Sequence, residues 1–94
     1  MSSKKVRVHV IVHGRVQGVF FRYETQQAAT KRDVTGWVRN LPDGTVEAVF
    51  EGVEDNVHST LEWCKQGPPM ARVDKLDVDW LPFEETYNRF EIRY

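Results

Sequence analysis

From Val6 onward the apolar residues fall at every second position, Val6, Val8, Val10 and Val12, with Arg7, His9 and Ile11 between them. That period of two predicts a strand with one buried face. Gly14 and Gly18 then break it, and from about Phe21 to Arg32 the period changes. Phe21, Thr25, Ala28 and Ala29 recur at the spacing of the inner face of a helix. Thr35 to Asn40 reads as a second strand. Leu41-Pro42-Asp43-Gly44 supplies a proline for the first corner of a turn and a glycine for a positive φ. Val46, Ala48 and Phe50 alternate again, which predicts a hairpin.

Beyond Gly52, Glu54 and Asp55 place acids where the start of a helix favours them. Val57, Leu61 and Cys64 continue that helix along one stripe, and Lys65, Gly67, Pro68 and Pro69 end it, with Gly67 as its left-handed cap. Leu76, Val78 and Trp80 alternate in a fourth strand, and Phe90, Ile92 and Tyr94 in a short final one. The order β-α-β-β-α-β plus a terminal strand is an α+β, ferredoxin-like split β-α-β sandwich. It has one antiparallel-type sheet, two helices on one face through right-handed crossovers, and a short extra C-terminal strand. In such a sheet strands one and two run parallel with strand three between them. Their C-terminal ends emerge on one edge, so the loop after Val12 and the distant Asn40 are expected to meet.

With 94 residues, there is room for one core, and residues 1–94 are expected to form a single domain. Hydrophobic residues at 40% and charged residues at 29% are those of an ordinary globular chain. A net charge of -1 argues against a nucleic-acid partner, which would call for a clearly basic domain. Cys64 is the single cysteine, so neither an internal disulfide nor a cysteine-built zinc site can form. Met1-Ser2-Ser3-Lys4-Lys5 carries no apolar leader, and the longest apolar run, Val19-Phe20-Phe21, is too short for a membrane. A cytoplasmic monomer is the expectation.

The segment Val12-His13-Gly14-Arg15-Val16-Gln17-Gly18-Val19-Phe20-Phe21-Arg22 leads from a strand end into a helix start. Its glycines allow several N–H groups to turn toward one point, which the positive end of the helix also faces. Arg22 in the first helical turn adds a planar fork suited to two phosphate oxygens. Together these describe an oxyanion cradle. Glycine-rich strand-to-helix turns also occur as plain connections, so the pattern alone leaves both readings open. Nucleotide motifs do not fit, because three residues separate the glycines where a Walker loop has four, and the dinucleotide fingerprint lacks its third glycine.

Gly14-Arg15-Val16-Gln17-Gly18-Val19-Phe20-Phe21-Arg22 resembles the signature loop of the acylphosphatases. Gly36-Trp37-Val38-Arg39-Asn40, followed by Gly44, Val46 and Gly52, resembles that family's second signature at matching spacing. The resemblance extends over nearly the whole chain and implies a hydrolase of acyl phosphates. It implies that Arg22 binds the phosphoryl group and Asn40 positions water. Backbone N–H groups of Arg15, Val16, Gln17, Gly18, Val19 and Phe20 would hold phosphate oxygens. It further implies no metal, no cofactor and no phosphoenzyme, with inorganic phosphate as product and competitive inhibitor. The chemistry is coherent, since a carboxylate leaves an acyl phosphate readily near neutral pH without a general acid. What remains is to neutralise the phosphoryl oxygens and hold water in line. The carbonyl of Asn40 can accept one proton of that water.

Plainer readings compete for the other reactive side chains. His9 and His13 share a strand face but stand about 13 Å apart, too far to hold one ion. His58 is expected at the surface of the second helix, and Asp74, Asp77 and Asp79 along a solvated sheet edge. Cys64 is expected to be a buried, inert thiol, while Trp37 and Trp80 suit core or edge cover and Trp63 falls off its helix stripe. Gly36 needs no more than close backbone packing. A ferredoxin-like RNA-binding module would need aromatics on strands one and three, where Arg7, His9 and Ile11 and an acidic strand stand instead. A metal chaperone of the same fold would need paired cysteines in the first loop. A non-catalytic anion-binding domain would keep the same loop.

Overall fold

The computed structural model describes residues 4–94, and Met1, Ser2 and Ser3, on which part of the leaderless reading rests, lie outside the described residues. The elements are β1 (Lys5–Arg15), α1 (Phe21–Lys31), β2 (Thr35–Asn40), β3 (Val46–Val53), α2 (Glu54–Gln66), β4 (Arg72–Leu81) and β5 (Phe90–Ile92). They form one five-stranded sheet in the order β4-β1-β3-β2-β5. β3 pairs antiparallel with both β1 and β2, so these two flanking strands run parallel and end on the same edge. This is the ferredoxin-like arrangement. β5 departs from the antiparallel pattern, pairing parallel with β2, and Tyr94 stands beyond it.

The alternating residues do what their period requires. Val8, Val10 and Val12 oppose Phe50, Ala48 and Val46 across the β1–β3 ladder, and all six are buried. Phe21, Thr25, Ala28 and Ala29 of α1 and Val57, Leu61 and Cys64 of α2 close over them. Burial of such side chains is worth about 25 cal/mol per Å² and accounts for helices that would be marginal alone. Trp63 lies partly buried against Phe21, with ring centroids 5.8 Å apart, and so joins the rim of this core.

Three local expectations are corrected. Gly14 does not end β1, which continues through it to Arg15 after a register shift between His13 and Gly14. A Cβ at Gly14 would stand 2.0 Å from the carbonyl oxygen of Arg72, so glycine is required here by the approach of β4. Gly67 ends α2 with the expected positive φ of 69°, but its ψ of -176° is extended rather than helical. Val78 and Trp80 alternate as predicted yet remain 41% and 46% exposed, because β4 is the outer strand; the His58 ring of α2, with centroids 5.1 Å apart, covers Trp80 only in part.

Residues 82–89, which show no periodicity, cross the opposite face of the sheet. The buried Glu51 carboxylate accepts the Thr86 N–H at 3.0 Å, and Trp37 Nε1 donates to the Tyr87 hydroxyl at 3.0 Å. Trp37 is therefore buried under this segment and the Arg93 guanidinium, 4.8 Å from its ring, rather than in the helix-side core.

Candidate active site

The segment between β1 and α1 is held by Val16 and Gln17, and Val19 packs against the core beside them. Val16 sinks into the core at 1% exposure, while the Gln17 side chain crosses to the β2–β3 turn. Gly18 has a φ of 75° with open space where a Cβ would stand, so it is the backbone conformation that asks for glycine. Phe20 also takes a left-handed conformation, φ 63° and ψ 22°, directly before α1. Nothing in the residue pattern announces this, since a phenylalanine there costs on the order of 1–2 kcal/mol. Strain of that kind persists only where the surroundings over-determine the backbone.

The loop leaves backbone donors over. Among the described residues, the N–H groups of Val16, Gly18 and Val19 donate to no protein acceptor. α1 begins at Phe21 without a side-chain cap, so the donors of its first turn add to the same positive end. Arg22 lies in that turn, half-buried. One guanidinium nitrogen, Nη1, donates to the Arg93 carbonyl at 3.3 Å, and the Tyr94 ring lies 4.7 Å from the guanidinium carbon. These contacts use only part of a five-donor fork and leave the rest for a second partner. Arg15 is placed differently from the rest of the loop. It remains in β1, in register with Arg72, with an exposed side chain.

Asn40 ends β2 opposite Val46. A turn-stabilising role for its carboxamide finds no support, because the turn is satisfied by other groups. Leu41 N–H donates to Thr45 O at 2.9 Å, and Gly44 N–H to Leu41 O at 3.2 Å. Asp43 Oδ1 accepts the Thr45 hydroxyl at 2.6 Å and its N–H at 3.0 Å. Those two bonds, the hydroxyl foremost, hold the Asp43 carboxyl below its usual range. Among the described residues the Asn40 side chain makes no hydrogen bond. The loop and the residues beside Asn40 do meet, through Gln17, as the parallel course of β1 and β2 requires. The parts that the residue pattern did not reveal are the Gln17 side chain and the Arg93 and Tyr94 contacts to Arg22. All three are long-range, with no local signal.

The tempting side chains elsewhere are occupied. His9 Nε2 lies 2.7 Å from Glu47 Oε2, and His13 Nε2 lies 2.7 Å from Asp77 Oδ2. Burial works to raise the Glu47 carboxyl, but hydrogen bonds from His9 and Arg39 outweigh it and the net shift is downward. Burial pushes the Cys64 thiol up to about 12, far from a usable nucleophile. No helix is long and apolar enough to cross a membrane among the described residues.

A model of the acylphosphatase family matches residues 8–92 of this sequence. The chain belongs to the acylphosphatase family. An acylphosphatase of Pelotomaculum thermopropionicum is 47% identical over 90 residues, covering 96% of this chain and 98% of that protein. The crystal structure of acylphosphatase from Bacillus subtilis matches with a TM-score of 0.91 at 43% identity, covering 95% of this chain and 99% of that one. An acylphosphatase structure from Coxiella burnetii matches with a TM-score of 0.90 at 39% identity, covering 95% of this chain and 93% of that one. This acylphosphatase is therefore an enzyme, a hydrolase of a family whose reaction is the hydrolysis of acyl phosphates.

Proposed function

We propose that residues 1–94 act as a single catalytic domain that cleaves acyl phosphates by direct attack of water. The observation that carries the reading is the set of uncommitted N–H groups at Val16, Gly18 and Val19, beside the uncapped start of α1 and Arg22. Val16 is buried, Val19 half-buried and Gly18 open to solvent, so the donors lie at an accessible surface, and a phosphoryl group supplies three oxygens at the positive end of a helix. The backbone from Arg15 to Phe20 and the free edge of the Arg22 guanidinium take those oxygens. They neutralise charge that grows in the transition state, at donors already fixed by the fold. Asn40, whose carboxamide is otherwise unengaged, accepts one proton of the attacking water and sets its direction.

The scissile bond joins phosphorus to the carboxylate oxygen. Water oxygen forms the new bond to phosphorus as that bond breaks, and the carboxylate leaves with its electron pair. The proton released by water passes to a phosphate oxygen, since no side chain of the loop is a base. No phosphoenzyme and no metal enter this scheme, and inorganic phosphate, the product, occupies the same cradle as a competitive inhibitor. The setting proposed is a cytoplasmic monomer.

The test is release of inorganic phosphate from benzoyl phosphate by the purified chain after exhaustive treatment with a chelator. Undiminished turnover, inhibited competitively by added phosphate, is expected. Loss of turnover that one divalent ion restores overturns the scheme.

A further inference from the structure

Gln17 sits in the middle of the anion loop, yet its side chain points away from α1 and ends on the neighbouring turn. Its Nε2 donates to Leu41 O at 2.7 Å and to Thr45 O at 2.8 Å. Leu41 follows Asn40 directly, and Thr45 precedes Val46, the register partner of Asn40. The two hydrogens of one amide therefore clasp both arms of the turn beside the Asn40–Val46 pair. Leu41 and Thr45 are joined to each other as well, through the Leu41 N–H at 2.9 Å from Thr45 O. Among the described residues no other hydrogen bond ties residues 16–20 to residues 41–45. Val16, on the other side of Gln17 in the chain, is locked in the core. The loop is thus anchored to the core through Val16 and Val19, and to the end of β2 through Gln17.

We infer that Gln17 is a positioning residue for the hydrolysis, setting the separation between the phosphate cradle and the water held by Asn40. The inference rests on the catalytic reading above. The physical need is clear. Phosphate and water are held by segments distant in sequence, and in-line attack tolerates errors well below 1 Å. A glycine-bearing loop and the tip of a hairpin drift independently unless something joins them. An amide with two donors on one nitrogen, facing two carbonyls of a closed turn, fixes both distance and rotation. The side chain does not touch substrate in this scheme and acts only through Asn40.

The test is a double-mutant cycle. Gln17→Met keeps the length and loses both donors, and Gln17→Ala removes the side chain as a second variant. Each is made in the wild-type chain and in Asn40→Ala, with the folded fraction measured by tryptophan fluorescence. In the wild-type background kcat for benzoyl phosphate falls about tenfold or more, while the inhibition constant of inorganic phosphate changes by less than about threefold. In the Asn40→Ala background the same substitutions change kcat by less than about threefold, because the group they position is gone. Equal losses in the two backgrounds overturn the inference, as does a loss of phosphate binding that parallels the loss of kcat. The latter outcome makes Gln17 part of the cradle. An active wild type with fully active Gln17 variants sinks this inference alone, whereas an inactive wild type sinks the catalytic reading and this inference with it.

Discussion

Two helices start on the same face of one sheet, and their N-termini are built in opposite ways. α2 leaves β3 without a loop, and its first backbone donor, Glu54 N–H, reaches Lys4 O at 2.9 Å. Its first turn then carries two acids, Glu54 and Asp55, which complement the helix dipole from within the chain. α1 is reached through a strained loop, with Phe20 left-handed and unpaired N–H groups behind it. Its first turn carries Arg22 where α2 has carboxylates, and Glu24 is its one acid. The positive end of α2 is compensated by the protein. That of α1 is reinforced by it, an arrangement that suits an anion. The difference separates a helix start satisfied within the chain from one that, in the proposed reading, serves a ligand.

The largest effect expected is at Arg22. Arg22→Ala removes the reinforcing charge, and kcat/KM for an acyl phosphate should fall on the order of a thousandfold. Arg22→Lys should recover little of it, because a point charge cannot span two oxygens. Inhibition by phosphate should weaken in both. Undiminished phosphate inhibition of Arg22→Ala would place the anion at some other part of the fold and end the contrast between the helices.

Asn40→Ala comes next and sharpens the comparison by sparing the cradle. Its kcat should drop by on the order of a hundredfold, with phosphate inhibition nearly unchanged. A variant that loses stability but keeps its rate per folded molecule would return Asn40 to a turn role. The hydrogen bonds among Leu41, Asp43, Gly44 and Thr45 speak against that outcome.

The smallest effect belongs to α2. Glu54→Gln and Asp55→Asn should each lower stability by about 0.3–1 kcal/mol, with turnover unaltered. Phosphate at ten times its dissociation constant should stabilise the wild type by about 1.4 kcal/mol, and these two variants equally. A phosphate effect that shrinks or grows in the α2 variants would show that the two helix ends do not act separately.

Much of this was legible before any coordinates. The period of β1, the stripe of α2 and the hairpin of β2 and β3 follow from which residues are apolar, because burial on one face is a local constraint repeated along the chain. The loop and Arg22 were legible for a similar reason, as glycine spacing and a basic residue in a first helical turn are short-range patterns. The end of β1 was misread because Gly14 answers to β4, some sixty residues away, rather than to its own neighbours. Core and edge cover both suit Trp37 on the residue pattern, and the pattern does not separate them, since what covers it is the aperiodic segment 82–89 and Arg93.

The residue order by itself determined the sheet, the two helices and the place of the glycine-bearing loop between β1 and α1, because each depends on side-chain type at fixed local spacing. Only the tertiary structure decided how the parts are held in relation. It committed the Gln17 amide to Leu41 and Thr45, and it set the Arg93 carbonyl and the Tyr94 ring against Arg22. It also left the Asn40 carboxamide without a bond among the described residues. Such pairings join residues 24 to 72 positions apart, where no period in the chain reaches. They exist because packing the helices on the sheet brings the ends of β1, β2 and β5 to one edge, and the donors there take the acceptors within reach.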